Sequence, residues 1–390
     1  MAYRAMKETI DKKVYGSLFR VYGSLTNQVI YKILTPSKRH YLRVNTYLIT
    51  RGELIDMLKE KYPEYNIEPD PYIEDALYIV VKGPYKIPIV EKKIIVDKYA
   101  AESVMLGAPL YAPGVIKYSR FKAGEEVNIV APNGRIVALA ETIVDSSKLL
   151  YMKKGVVVKN IISTYKLPPI REMEEYKRGL IYPQGLPSII VSHIVSPTPG
   201  ESILDCCASP GGKTSHLIQL SQGLARIVSI DRSMKKIGEI IGTLKRLHLP
   251  RTNLFLVGDA RYINIDIGGI VFDKIIIDPP CTGLGVRPKI SIDVRGRDIE
   301  NSKTYQKQFI KPAVQMLRQN GLLVYSTCTL TFEENEEVSL YALRQGLISI
   351  EVDIPYADKV YIGDLIAYRF SPITYDMPGY YISVFKKKPS

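Results

Sequence analysis

The stretch that decides the fold runs from residue 205 to residue 214 and reads Asp205-Cys206-Cys207-Ala208-Ser209-Pro210-Gly211-Gly212-Lys213-Thr214. A predicted apolar strand leads into it and a predicted helix follows it. Pro-Gly-Gly between a strand and a helix makes a sharp turn whose backbone carries little side-chain bulk. A ligand can therefore approach the amides of the turn, and the helix N-terminus beyond them favours negative charge.

Three interpretations of this turn remain open on its own residues. A phosphate-binding P-loop ends in Gly-Lys-Thr, which Gly212-Lys213-Thr214 matches, but its leading glycine would fall on Cys207. The second interpretation is a turn that holds the amino-acid end of S-adenosylmethionine, and the third is a purely structural turn. The P-loop interpretation is the weakest because its first glycine is missing.

Strands and helices alternate from about residue 166 onward. The clearest helix is predicted over 233–249, with Ser233 as its N-cap and Pro250 as its stop. This alternation predicts a mostly parallel sheet with helices on both faces, which binds ligands beyond the carboxyl ends of its strands. The predicted strands cover 202–207, 225–231, 253–259, 274–278 and 321–328.

Single aspartates end two of these strands. Asp231 follows the glycine turn by ~20 residues, the spacing of an acidic residue that binds a ribose diol. Asp259 ends the next strand and could contact an adenine amino group. Each of the two could instead simply cap a helix.

The cysteines are absent from the first 205 residues and then all follow or end predicted strands. Cys281 closes Asp278-Pro279-Pro280-Cys281, where amine methyltransferases commonly carry an aromatic residue after Pro-Pro. Thr327-Cys328 ends a later strand, predicted to be the neighbour of the strand before Cys281. Inert packing is the alternative for Cys328, but this pairing favours thiols that act as reagents. The spacing does not suit a zinc site, and no metal is predicted.

Composition limits the class of protein. The 390 residues predict two or three domains, and no apolar run approaches the ~18 residues of a membrane span. Met1 to Lys7 lack the apolar core of a secretory signal, so a cytoplasmic protein with reduced thiols is expected. Of the net charge of +13, residues 1–200 contribute 29 basic against 20 acidic residues, and residues 201–390 contribute 24 against 20. The excess positive charge either keeps the protein soluble or serves to bind a polyanion, mainly through the first half of the chain.

The first 165 residues divide into two segments of different pattern. Residues 1–90 predict mixed α and β structure, with a strand at 41–46, a helix at 51–62 and a loop at 62–72. Residues 91–165 contain short β-branched runs, and Pro132-Asn133-Gly134 predicts a tight hairpin between two of them. Short strands at this spacing predict a small barrel.

The cysteine and glycine motifs resemble those of the Fmu/Sun family of RNA cytosine-5-methyltransferases. That family shows Asp-x-Cys-Ala-Ala/Ser-Pro-Gly-Gly-Lys-Thr, then Asp-x-Pro-Cys, then Thr-Cys; residues 205–214, 278–281 and 327–328 match in order and spacing. Residues 91–165 also resemble a PUA domain, a small β-barrel that binds structured RNA, and residues 96–115 carry this resemblance. A PUA domain inserted ahead of such a catalytic domain is typical of the archaeal and eukaryotic tRNA acceptor-end methyltransferases, which modify cytosine at nucleotide 72.

The resemblance implies an α/β fold, a Rossmann-like class I methyltransferase domain with a mostly parallel seven-stranded sheet, an N-terminal α+β region and a small PUA β-barrel. The implied domains are an RNA-binding region at 1–90, the PUA barrel at 91–165 and the methyltransferase at 166–390. The expected partner is tRNA, through its acceptor stem and CCA end; DNA and membranes are not expected partners, and a monomer is expected. An rRNA methyltransferase of the same fold and a silent RNA-binding assembly factor are the alternatives.

The resemblance also implies the role of each site residue. Cys328 attacks carbon 6 of the cytosine, Asp278 binds the ring N3 and amino group, and Cys281 releases the product. Lys213 helps hold the base or polarise its carbonyl, and Cys206 receives no role. The residues implied to bind S-adenosylmethionine are Cys207, Ala208, Ser209, Pro210, Gly211, Gly212, Lys213, Asp231, Asp259 and Asp278.

Overall fold

The structure is a computed structural model, which describes residues 10–250 and 252–388. The segment on which the absence of a secretory signal was judged, Met1 to Lys7, lies outside the described residues. Among the helices of these two ranges, none is long and apolar enough to cross a lipid bilayer.

Residues 10–90 form helices and a small antiparallel sheet. The elements are α1 (Lys12–Tyr22), α2 (Thr26–Ile33), β1 (Arg39–Val44), α3 (Arg51–Lys61), β2 (Ile67–Pro69) and β3 (Ala76–Val80). Thr50 begins α3 through a reciprocal capping box with Glu53. The prediction of an uninterrupted loop over 62–72 is wrong, because Ile67 pairs with Ile79 and is fully buried in β2.

Residues 91–165 form a six-stranded sheet with its own core. The elements are β4 (Lys93–Val96), α4 (Lys98–Val104), β5 (Leu110–Tyr111), β6 (Val115–Tyr118), β7 (Glu126–Val130), β8 (Ile136–Thr142), α5 (Ser146–Leu149) and β9 (Val156–Ser163). The predicted hairpin joins β7 to β8, with Gly134 at a φ of 82°. The strand order is β5-β9-β8-β7-β4-β6. Its two edge strands are only three residues apart in sequence, so the sheet must curl to bring its edges together.

The remaining residues form a large sheet between helices. The elements are α6 (Glu174–Lys177), β10 (Ile181–Pro183), α7 (Leu186–Val195), β11 (Ser202–Cys206), α8 (Gly212–Leu220), β12 (Arg226–Asp231), α9 (Met234–Arg246), β13 (Leu254–Val257), α10 (Ile263–Asp266), β14 (Phe272–Ile277), α11 (Gly296–Met316), β15 (Leu317–Thr327), α12 (Glu336–Arg344), β16 (Leu347–Ser349), β17 (Asp358–Ile362), β18 (Leu365–Phe370) and β19 (Tyr380–Lys387). Short 3-10 helices also cover Gly23–Leu25, Ala112–Gly114 and Ile170–Glu172.

The large sheet confirms the Rossmann-like class but exceeds the predicted seven strands. Within the described residues it has nine, in the order β13-β12-β11-β14-β15-β19-β18-β17, with β16 also paired to β19. The strands β11 to β15 are parallel, whereas β16 to β19 pair in antiparallel fashion. Alternate strand residues enter separate cores, as Ile203 and Leu204 do, so helices cover both faces as predicted.

The N-terminal elements are joined closely to the large-sheet region. β10 completes the four-stranded N-terminal sheet, whose order is β10-β1-β3-β2. Helices α1 and α2 bury Val14 and Val29 against Leu284 and Leu330, which follow β14 and β15. Residues before position 90 are therefore packed against residues after position 166, although the sequence pattern changes at both positions.

Candidate active site

The carboxyl ends of the parallel strands meet at one edge of the large sheet. β11 lies between β12 and β14, β13 flanks β12, and β15 flanks β14. Each predicted motif follows one of these strands directly. The parallel pairing therefore brings the glycine turn, the strand-ending aspartates and the two later cysteines to the same edge.

The turn between β11 and α8 needs its glycines. Gly211 has a φ of 98°, and a Cβ atom there would lie 3.1 Å from Cγ2 and 3.2 Å from Cα of Ile240. A Cβ atom at Gly212 would lie 3.2 Å from the ring of Tyr182. Cys207 also has a positive φ, of 60°. The turn therefore packs so closely against Ile240 and Tyr182 that side chains with a Cβ atom do not fit at the two glycines without displacement.

Two cavities meet at Cys207. The first has a volume of about 250 Å³ and is lined by the turn, by Asp205, Lys213 and Asp278, and by residues 182–185. The second, smaller cavity is lined by Asp231 and Asp259 together with apolar side chains such as Phe309.

The aspartates at the strand ends already have protein partners. Asp231 accepts hydrogen bonds from the Ser209 amide at 3.0 Å and from the Arg232 amide at 2.7 Å, and its carboxylate lies 3.1 Å from Lys236 Nζ. Both carboxylate oxygens of Asp259 accept hydrogen bonds from Arg261 Nε, at 2.9 Å for Oδ1 and 3.0 Å for Oδ2. Both carboxylates line the second cavity. The hydroxyl and amino groups of a bound ligand would therefore donate to carboxylate oxygens that already accept hydrogen bonds from the protein.

The residues present fit S-adenosylmethionine. The carboxylates and apolar walls that line the second cavity suit the hydroxyl and amino groups of adenosine, although its volume of about 10 Å³ requires the lining to open for a nucleoside. The turn amides and carboxylates of the first cavity suit a charged amino-acid end. Burial raises the pKa of the Cys207 thiol, so this side chain stays protonated where the two cavities meet. Burial also raises the pKa of Asp205 to about 6, and Thr214 Oγ1 donates to its carboxylate at 2.6 Å.

The two later cysteines form a pair. Cys281 Sγ lies 3.3 Å from Cys328 Sγ. The hydrogen bond from Cys281 lowers the pKa of Cys328 below its ordinary value, although burial acts in the opposite direction. The same contact and burial raise the pKa of Cys281. Cys328 is therefore the thiol that ionises more readily, and Cys281 is its proton donor.

Asp278 and Lys213 form an ion pair next to Cys328. Burial alone would lower the pKa of Lys213, but the Asp278 carboxylate outweighs it and raises that pKa. Ser326 Oγ donates to the other carboxylate oxygen of Asp278 at 3.2 Å, and Tyr380 Oη donates to Ser326 Oγ at 3.2 Å. The carboxylate is thus held from both sides.

A cavity of about 400 Å³ opens over this group. Lys213, Asp278, Cys328 and Tyr380 line it, whereas Cys281, which is half-buried like Cys328, does not. Arg287 lines it as well and donates to the Met377 carbonyl at 3.0 Å. The cavity therefore combines an ionisable thiol, a fixed carboxylate and cations, which suits addition to an electron-poor ring followed by proton transfer.

Sequence reasoning missed the residues that support the site. Arg43 of β1 is fully buried and donates to the Gly212 carbonyl at 2.7 Å, to Gln184 at 2.9 Å and to Ser215 at 2.8 Å. Tyr380 and Ser326 were likewise assigned no role. A lone arginine inside the apolar run of β1 was the available indication for Arg43. Cys206, which received no role, is buried beneath the turn.

A cluster of possible metal ligands lies away from the cysteines. Ligand-type atoms of Asp75, His193 and His216 fall within 4.8 Å of one another, in a search of the described residues. The two Asp75 oxygens lie 2.7 Å from His193 Nε2 and 2.6 Å from His216 Nε2, which are hydrogen-bond distances. Gln219 Nε2 also donates to Asp75, at 3.2 Å. The cluster is a hydrogen-bonded network between the N-terminal region and helices α7 and α8.

Comparison with known proteins agrees with this geometry. Residues 192–386 match the family model "16S rRNA methyltransferase RsmB/F", and residues 92–162 match the PUA domain model. A tRNA (cytosine(72)-C(5))-methyltransferase of Pyrococcus horikoshii is 37% identical over 371 residues, which cover 93% of this chain and 92% of that protein. The Mus musculus tRNA (cytosine(72)-C(5))-methyltransferase NSUN6 is 30% identical, over 81% of this chain and 73% of that protein.

A solved structure shows the same overall arrangement. The crystal structure of NSun6 from Pyrococcus horikoshii with SFG, an analogue of S-adenosylmethionine, superposes with a TM-score of 0.88 at 35% identity. The match covers 97% of this chain and 98% of that chain. The chain therefore belongs to the RsmB/F family of RNA cytosine-5-methyltransferases, carries a PUA domain and uses S-adenosylmethionine as its methyl donor.

Proposed function

We propose that this enzyme methylates carbon 5 of cytosine 72 in tRNA, next to the CCA end, through a covalent bond between Cys328 and the base. The observation that carries the proposal is the pair of sulfur atoms 3.3 Å apart, with Cys328 opening into a cavity that Asp278 and Lys213 also line. Relatives that are matched over 92% and 73% of their length, and whose names give cytosine 72 of tRNA as their target, support this substrate over rRNA.

The reaction follows from the chemistry of each side chain. The Cys328 thiolate forms a bond to carbon 6 of cytosine, which makes carbon 5 nucleophilic. As the ring accepts electrons, N3 gains a proton from water; Asp278 accepts hydrogen bonds from this N3–H and from the amino group, and Lys213 stabilises the charge that develops on the ring. S-adenosylmethionine supplies the electrophilic methyl group. Bond formation to carbon 6 removes the Cys328 thiolate that raises the pKa of Cys281, so Cys281 can give its own proton to water. The Cys281 thiolate then takes the carbon-5 proton, directly or through water; the carbon–sulfur bond breaks, its electrons return to Cys328, and N3 loses its proton.

We assign the methyl donor to the two cavities that meet at Cys207. The turn residues Cys207, Ala208, Ser209, Pro210, Gly211, Gly212 and Lys213, with Asp278, would hold its amino-acid end. Asp231 would bind the ribose and Asp259 the adenine, each sharing its carboxylate with the basic side chains already paired to it.

A second groove supports recognition of the acceptor end. A cavity of about 500 Å³ lies between the PUA domain and the rest of the chain, and Tyr99, Tyr111 and Arg171 line it. It shares His40 and Leu106, among others, with the cavity over Cys328. A single-stranded RNA end could therefore run from the target cytosine toward the PUA domain, with bases against exposed tyrosines.

The experiment is methyl transfer from labelled S-adenosylmethionine to paired tRNA transcripts with cytosine or uracil at nucleotide 72. Label is expected only in the first, and bisulfite sequencing should place it at that nucleotide. Cys328→Ala should abolish transfer, whereas Cys206→Ala, the same change at a buried cysteine without a role, should retain it. Methylation of rRNA but not tRNA would overturn the proposed substrate.

The segment assignments and the cellular setting stay predictions. We propose residues 1–90 as an RNA-binding region, 91–165 as the PUA domain and 166–390 as the catalytic domain. We also propose a cytoplasmic monomer that does not act on DNA. Light scattering of the purified protein, alone and with tRNA, measures the oligomeric state.

A further inference from the structure

A buried carboxylate lies between the loops that carry the two reactive cysteines. Glu334 follows β15 and precedes α12, and its side chain is fully buried. Burial raises the pKa of Glu334, and hydrogen bonds from Thr282, Thr331 and Gln306 oppose that rise. Burial of a carboxylate destabilises the fold unless hydrogen-bond donors surround it, and here the donors come from both cysteine loops.

One set of bonds fixes the loop of Cys281. The Thr282 amide donates to Glu334 Oε1 at 2.8 Å, and Thr282 Oγ1 donates to Oε2 at 2.6 Å. Gln306 Nε2 donates both to Glu334 Oε1 at 3.2 Å and to the Pro280 carbonyl at 3.1 Å. The residues on both sides of Cys281 are thereby tied to the same carboxylate.

A second set fixes the loop of Cys328. Thr331 Oγ1 donates to Glu334 Oε2 at 2.7 Å, and Thr329 Oγ1 donates to the same oxygen at 3.3 Å. Thr329 Oγ1 also lies 2.8 Å from Thr282 Oγ1, so its single proton goes either to this oxygen or to the Glu334 carboxylate, and either bond links the two loops. Tyr325 Oη donates to the Glu334 backbone carbonyl at 2.6 Å and so ties the end of β15 to the same residue.

We propose that Glu334 is a positioning residue that sets the separation and aim of Cys281 and Cys328. The inference rests on the proposed function, because it assigns attack to one of these thiols and release to the other. Glu334 touches neither sulfur; it acts through Thr282 and Thr329, the residues that directly follow Cys281 and Cys328. A displacement of about 1 Å at reacting atoms can cost about 100-fold in rate, so a bond network that bridges both loops has a direct catalytic consequence.

The first experiment compares Glu334→Gln with Glu334→Ala. Glutamine keeps one oxygen for the Thr282 and Gln306 N–H groups, and its amide can donate to threonine hydroxyls that rotate to accept. We expect Glu334→Gln to stay within about threefold of the wild-type kcat and Glu334→Ala to lose about 100-fold in kcat, with KM for tRNA unchanged. Glu337→Ala is the matched control, because the half-buried side chain of Glu337 in α12 pairs with Arg20 and Lys303 and bonds neither cysteine loop, and this variant should behave as wild type.

The second experiment measures thiol proximity without RNA. Diamide removes two electrons and two protons from a pair of close thiols, and peptide mapping then quantifies the Cys281–Cys328 disulfide. The disulfide should form at the same fast rate in wild type, Glu334→Gln and Glu337→Ala. In Glu334→Ala it should form at least about tenfold more slowly, because the effective concentration of one thiol at the other depends on a fixed geometry. Binding of S-adenosylmethionine by calorimetry confirms that each variant is folded; should Glu334→Ala fail to fold, Thr331→Val, which removes a single bond, replaces it.

The outcomes separate the two proposals. Wild-type cross-linking and kcat in folded Glu334→Ala, or in Thr331→Val if that variant replaces it, would overturn the positioning role. Absence of methyl transfer to tRNA by the wild-type enzyme and of a covalent RNA adduct in Cys281→Ala, with fast cross-linking retained in wild type, would overturn the proposed function and leave the geometry of the thiol pair intact.

Discussion

The two reactive cysteines differ because their surroundings differ, although their chemistry is the same. Cys328 accepts a hydrogen bond from Cys281 and opens into the cavity, and its pKa is lowered by that bond. Cys281 does not line that cavity, and its pKa is raised by the same contact and by burial. A thiol that ionises next to one that stays protonated matches a nucleophile and an acid–base partner.

Removal of the partner thiol should trap the enzyme on its substrate. Cys281→Ala leaves Cys328 able to attack, but it lacks the group that removes the carbon-5 proton, so a covalent protein–RNA adduct should accumulate. Denaturing gel electrophoresis and intact-mass measurement with tRNA and methyl donor detect the adduct. The double variant with both Cys281→Ala and Cys328→Ala should give no adduct, because it lacks the attacking thiol. Normal turnover by Cys281→Ala would contradict the roles of the two thiols.

The pH dependence of Cys328 should report its hydrogen bond. Alkylation requires the thiolate, so the rate of reaction with iodoacetamide rises as pH climbs through the pKa of Cys328. Because the S–H of Cys281 stabilises the thiolate, Cys281→Ala should move the midpoint to higher pH. Cys281→Ser retains a hydroxyl donor and should move it less. Mass spectrometry of the peptide that contains Cys328 follows the reaction, and an unchanged midpoint in Cys281→Ala would refute this cause.

At the scale of elements, the connection from β11 to α8 carries the methyl-donor site. Gly211 adopts a conformation that side chains with a Cβ atom rarely adopt, and Ile240 of α9 packs against it. The turn is therefore fixed from outside by a neighbouring helix as well as by its own glycines. Strand, turn and packing helix form one structural unit.

Gly211→Ala should damage this unit. The positive φ and the contact with Ile240 together predict a loss of about 2–4 kcal/mol in the free energy of unfolding and at least about tenfold weaker binding of S-adenosylmethionine. Chemical denaturation and calorimetry measure the two quantities. Gly238→Ala in α9 is the control, since a Cβ atom there meets nothing within 4 Å; it should be stabilising by up to about 1 kcal/mol. Equal behaviour of the two variants would count against the turn's requirement for glycine.

At the scale of the whole molecule, the N-terminal region supports the catalytic helix α8. Arg43 bonds the Gly212 carbonyl, where α8 begins, and Asp75 bonds His216 one turn further along. Asn45 reaches the carbonyls of Gly179 and Leu247 at 2.9 Å and 2.8 Å. The N-terminal region and the methyl-donor site are thereby linked by direct hydrogen bonds.

Loss of Arg43 should weaken binding of the methyl donor from a distance. Arg43→Met removes charged hydrogen bonds to Gly212, Ser215 and Gln184, so KM for S-adenosylmethionine should rise about tenfold, with a smaller effect on KM for tRNA. Arg43→Lys should not rescue it, because an ammonium cannot reach all three acceptors. Initial-rate kinetics give both constants. Arg51→Met is the control, because Arg51 bonds carbonyls within the N-terminal region only, and it should leave both KM values unchanged. Equal KM values for Arg43→Met and Arg51→Met would disprove the link.

The sequence by itself determined the chemistry at the sheet edge. Local patterns of apolar strands, the Pro-Gly-Gly turn and the Cys281 and Cys328 motifs predicted the parallel strands β11 to β15 and placed their motifs at one edge, because parallel strands all end on the same side. The short antiparallel strands β16 to β19 escaped prediction, as did β2, since such strands are fixed by pairing with distant partners.

Only the tertiary structure decided which side chains support and tune that chemistry. The distance between the two sulfur atoms, the burial of Arg43 beneath α8 and the bonds of Glu334 to both cysteine loops depend on residues far apart in sequence. No local pattern encodes these contacts. They arise when packing brings polar groups out of water, where each donor and acceptor must find a partner from whichever element lies nearest.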